Sequence, residues 1–130
     1  MEKSYAGVVD MLKCHVRYML FLPGIAIAPL KLTPRQGELV HVSVNSLREC
    51  PFCTHLHGEL GRMAGLPEVG ELMKGSCEKV DGLEAKEELP IRGFARAFAR
   101  DPKSAGIEKL GESVGEAEAK GVVALCWFLH

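Results

Sequence analysis

The residues best placed to do chemistry are Glu38 and the run Cys50-Pro51-Phe52-Cys53-Thr54-His55-Leu56-His57. Two thiols separated by two residues can cycle between dithiol and disulfide, with the thiolate as the reactive species. Pro51 suits the first turn of a helix. On such a helix Cys53 and His57 share a face one turn apart, so the imidazole can take or return a thiol proton. Cys50 falls at the helix N-terminus, where the macrodipole and the free backbone N–H groups favour a thiolate. Helix-dipole reasoning therefore activates Cys50, whereas proximity to His57 serves Cys53. His57 and a nearby carboxylate would give the pair its own proton relay. Cys14, Cys77 and Cys126 are isolated and read as core or loop filler.

Other chemistries fit these residues less well. Two cysteines with His55 and His57 could offer four zinc ligands. Structural zinc sites, however, usually take two ligand pairs from separated segments, and on a helix His55 and His57 point about 200° apart. Haem attachment needs a His directly after the second Cys, and Thr54 stands there. A thioredoxin-like C-x-x-C follows a strand, whereas the flanking sequence here has helical period. A purely structural role, the cysteines acting as small buried apolar residues, remains open. No metal and no cofactor are expected.

The elements that must position these residues follow from hydrophobic period and punctuation. Residues 2–22 carry Val8, Val9, Leu12, Val16, Met19 and Leu20 at three- and four-residue steps, a helix stopped by Pro23-Gly24, with a loop over 24–32. Thr33-Pro34-Arg35-Gln36 is a capping box with Pro at the first helical position, so a second helix should run through Leu39, Val40, Val44 and Leu47. Val40, Val42 and Val44 alternate with His41, Ser43 and Asn45, which alone would equally support a short strand. The third helix starts near Pro51 and carries Phe52, Leu56, Leu60 and Met63 at i, i+4, i+8 and i+11, before Gly65 and Pro67 stop it. A short helix over 67–74 and a mobile polar loop over 75–88 come next. Ile91, Phe94, Ala95 and Phe98 then make a helical stripe ended by Asp101-Pro102. A short turn over 107–110 leads to a last helix from about Gly115, apolar nearly all round. That composition suggests burial against a partner subunit or a native chain continuing past His130.

Composition bounds the function class. The chain has 130 residues, 47% hydrophobic and 25% charged, with 16 Lys+Arg against 17 Asp+Glu. It is long enough for one domain with its own core. No basic run exists to neutralise phosphates, which argues against a nucleic-acid partner. The longest apolar stretch is about 13 residues, short of the ~20 that a spanning helix needs, and prolines and a glycine interrupt it, so no membrane association is expected. The N-terminus does not fit a signal peptide, and the expected location is cytoplasmic. In that reducing compartment the five cysteines read as thiol chemistry or metal.

The stretch Leu32-Thr-Pro-Arg-Gln-Gly-Glu38-Leu-Val, then Cys50-Pro-Phe-Cys53-Thr-His-Leu-His57 and Met63-Ala-Gly-Leu66, resembles the core of the alkylhydroperoxidase D / carboxymuconolactone decarboxylase family. The likeness continues more loosely through Ile91–Pro102 to the apolar last helix, over roughly 100 residues. A Glu twelve residues before the C-x-x-C and a His four after it match that family's catalytic pattern. The resemblance implies an all-α, alkylhydroperoxidase D-like fold with the C-x-x-C opening a central helix, and homo-oligomers, commonly trimers or hexamers. It further implies thiol-dependent reduction of alkyl hydroperoxides. Cys53 would then attack the peroxide, Cys50 would resolve it, and Glu38 and His57 would relay protons. A lipoyl-bearing or thioredoxin-like protein would be the dithiol reductant. The sequence departs from alkylhydroperoxidase D at Phe52, where the family has a His; a water or His55 would have to support the relay. Members without the cysteine pair make a decarboxylase-like lyase the alternative, and a non-catalytic redox or zinc-binding module is a third possibility.

Overall fold

A computed structural model describes Val16 and residues 31–73 and 80–129. Among the described residues the chain forms six helices and no strand: α1 (Pro34–Leu47), α2 (Pro51–Met63), α3 (Val69–Met73), α4 (Glu88–Arg100), α5 (Ile107–Val114) and α6 (Glu116–Leu129). The expected first helix, most of the loop after it, Cys14 and Cys77 lie outside the described residues.

α1 begins as its capping box dictates. The Thr33 hydroxyl accepts from the Gln36 backbone N–H at 3.2 Å, and the Gln36 side chain accepts from the Thr33 N–H at 2.9 Å. The alternating valines belong to this helix. Val40, Val42 and Val44 are all fully buried because α1 is packed by α2, α3, α4 and α6. Residues two apart point about 200° from each other on a helix, and here both directions are covered, so the alternation reflects all-round burial and not a pleat. α4 buries its stripe of Ile91, Phe94, Ala95 and Phe98 against this core.

α5 runs on past the expected short turn, because Leu110 and Val114 at i, i+4 give it an apolar face to bury. Gly115, at φ 92°, then turns the chain into α6. α6 buries Ala119, Val122, Leu125 and Cys126, and Trp127 stands edge-on to Phe98 with ring centroids 5.0 Å apart. Much of the cover for this apolar helix therefore comes from its own chain.

Glu88, expected within the loop over 75–88, instead opens α4. Glu88 is buried at the start of α4, paired with Arg35 at the start of α1. The Arg35 Nε donates to Glu88 Oε1 at 2.5 Å, its Nη2 donates to the Gly82 carbonyl at 2.6 Å, and its Nη1 donates to the Gly65 carbonyl. The Glu84 backbone N–H also donates to Glu88, at 2.9 Å. One guanidinium thus ties the start of α1 to the end of α2 and the start of α4. Charge-assisted bonds of this kind are the strong ones.

Candidate functional site

Cys50 is the N-cap of α2, and its sulfur accepts from the Cys53 backbone N–H at 3.3 Å. The two cysteines are joined as a disulfide across the first turn, with Cα atoms 5.4 Å apart. Cys53, His57 and Gly61 follow at i, i+4 and i+8 on one face. Glycine is what lets that face approach its neighbours. A Cβ at Gly61 would lie 3.6 Å from the Glu38 Cβ and 3.0 Å from a Leu66 methyl; about a quarter-turn round the helix, one at Gly58 would lie 2.4 Å from a Val69 methyl. The large apolar residues are turned the other way. Phe52 is 75% exposed, Met63 79%, Leu56 43% and Leu60 40%. The stripe that ordinarily marks a helix's buried face is here the outward one, and small and polar residues make the inward one.

Across the gap, Glu38 projects from α1. Its Oε2 lies 2.8 Å from His57 Nδ1, each side chain one-fifth exposed. A carboxylate can only accept, so Nδ1 is the donor in this contact and Nε2 is the ring's other nitrogen, turned away from it. Glu38 and His57 are thereby brought together, with Cys53 one helical turn from His57.

Sequence reasoning missed His41. Its ring lies on that of His57 with centroids 3.9 Å apart and planes within 6°. Burial, helped by the proximity of His57, pushes the His41 imidazole down to about 4, so this ring is neutral at ordinary pH. Its Nδ1 is buried, with no hydrogen-bond partner among the described residues. The usable signal was the i, i+3 spacing of Glu38 and His41 on one helix, and the valine alternation masked it.

His55 lies about 200° round α2 from His57. It is exposed and lines a groove of about 870 Å³ together with Cys50, Thr54, Gly58, Arg62 and Val69. Cys126 is buried in the core, where desolvation pushes its thiol up to about 12. Among the described residues, no group of three or more His, Cys, Asp or Glu is arranged to hold a metal ion, and no helix is long and apolar enough to cross a membrane. No family model, no curated protein and no solved structure matches the chain.

Proposed function

We propose that the protein is a thiol-dependent peroxidase of the alkylhydroperoxidase D type, reducing alkyl hydroperoxides through Cys50 and Cys53. The observation that carries this proposal is the Glu38–His57 contact at 2.8 Å, one helical turn from a cysteine pair close enough to form a disulfide. With the pair reduced, His57 Nε2 takes the Cys53 thiol proton while Glu38 steadies the imidazolium. The Cys53 thiolate attacks the peroxide, the O–O bond breaks, and the alkoxide leaves as the alcohol with the proton that His57 held. Cys53 becomes a sulfenic acid. The Cys50 thiolate then attacks the Cys53 sulfur, forming the disulfide and releasing hydroxide, which leaves as water with the proton of the Cys50 thiol. An external dithiol, lipoyl-bearing or thioredoxin-like, returns two electrons and two protons.

The deciding experiment is a steady-state hydroperoxide-consumption assay with several dithiol donors, on wild type and Cys53→Ser. The expected result is consumption of one peroxide per dithiol by the wild type and none by the variant. Turnover surviving in Cys53→Ser would overturn the assignment.

Self-assembly belongs to the same proposal, and the exposed Phe52, Leu56, Leu60 and Met63 stripe beside the cysteines supports it. Sedimentation should give a trimer or larger, and a monomer at micromolar concentration would remove that part.

A further inference from the structure

We infer that His41 is a positioning residue for His57: its ring is the plate that holds the relay imidazole in the plane that keeps Nδ1 on Glu38. The inference rests on the proposed relay role of His57, and it concerns a residue outside the cysteine, glutamate and second-histidine set.

A histidine side chain has two torsions, and the Glu38 contact restrains one atom of the ring. A single hydrogen bond leaves both torsions able to tilt the ring and carry Nδ1 off Oε2, which would release the tautomer that the contact selects. A second flat ring stacked at 3.9 Å and 6° removes that freedom, because rotation would drive one ring into the other. Both rings belong to helices, His41 to α1 and His57 to α2, and α1 also carries Glu38 three residues before His41. One helix thus supplies the acceptor that selects the Nδ1–H tautomer and the surface that sets the plane in which Nε2 points.

The chemistry of His41 suits this task. Two imidazolium rings could not stack face to face, since like charges at that distance repel. His41 is uncharged at ordinary pH, so it is neutral when His57 takes a thiol proton. The stack therefore survives that step, and the positive charge formed on His57 meets the face of a neutral aromatic ring, which favours it. The buried Nδ1 of His41 has no hydrogen-bond partner among the described residues, so no bond at that nitrogen sets the ring's position. An aliphatic residue would fill the volume without orphaning a nitrogen, so what the imidazole adds here is its flat face.

The test uses the full chain in its reduced form and two variants. His41→Leu fills the space without a ring, and His41→Phe supplies a ring without nitrogens. Long-range ¹H–¹⁵N spectra of the neutral imidazoles report the His57 tautomer directly, with no reliance on activity. Wild type and His41→Phe should show His57 as the Nδ1–H form. His41→Leu should show a mixture with the Nε2–H form and a roughly tenfold lower peroxide rate, as expected for a displaced catalytic group. An unchanged His57 tautomer in His41→Leu would overturn the inference, as would its loss in His41→Phe. In the wild type alone, the carbon-bound ring protons of His57 should be shifted upfield by the stacked ring, and their absence from the upfield region would also overturn it. If the wild type proves to consume no peroxide, the proposed function fails while the spectra still decide what His41 does.

Discussion

Two polar clusters grow from α1, one at its first turn and one a turn further on, and they differ in how completely their hydrogen bonds are closed. Arg35 is committed on every side, to the Glu88 carboxylate and to the Gly65 and Gly82 carbonyls, and Glu88 takes a further bond from the Glu84 N–H. Among the described residues Glu38 has one bond, to His57 Nδ1, and His41 Nδ1 has no partner. A saturated cluster has no capacity left for a substrate and fixes the fold. A cluster with open hydrogen-bonding capacity beside a redox-capable cysteine pair is where the proposed proton relay would sit.

The contrast can be broken by exchanging the consequences of mutation. Arg35→Ala strands a carboxylate that is 5% exposed, and removing one partner of a buried pair costs about 3 kcal/mol. Its denaturant midpoint should fall accordingly, with the peroxide rate per folded molecule kept. Glu38→Gln should do the reverse, cutting the rate roughly 10²-fold because the base His57 loses the carboxylate that steadies its imidazolium, with helicity and midpoint unchanged. If Arg35→Ala lost rate at an unchanged midpoint, or Glu38→Gln lost stability at an unchanged rate, the two clusters would have been assigned the wrong way round.

Acid sharpens the same contrast. His41 has a folded value of about 4 against 6.5 for the free side chain, so between those values the unfolded chain holds the extra proton. Its contribution to stability therefore rises with pH across that window and is lost on acidification. Between pH 7.5 and 5 the linkage amounts to about 2 kcal/mol, and His41→Phe should abolish that part of the acid sensitivity in urea titrations. A wild type and variant that lose stability in parallel would contradict the burial of a neutral His41. The smallest effect concerns Cys126, whose thiol is held protonated by burial. It should resist alkylation in the native protein and react on denaturation; native labelling would mean that α6 is open.

Much of this was legible in the sequence. The Thr33-Pro34-Arg35-Gln36 cap, the Pro51 start, the Gly65 stop and the Cys53–His57 spacing are local signals, each set by the backbone needs of one or two turns, and each appears where expected. The outward turn of Phe52, Leu56, Leu60 and Met63 was not, because period identifies an apolar face without saying whether another element reaches it. The close approach was set instead by Gly58 and Gly61. Glu88 looked like loop because its partner stands 53 residues away, and pairing at that separation leaves no local pattern. His41 was hidden in the same way: its stacking partner lies on the next helix.

The most direct test mixes the fully reduced protein with one equivalent of an alkyl hydroperoxide, then counts and maps the free thiols by mass. The expected result is a fall from five thiols to three, with Cys50 and Cys53 joined and one equivalent of alcohol released. Retention of all five thiols, or oxidation of Cys77 before the pair, would contradict a peroxide-reducing site at Cys50 and Cys53.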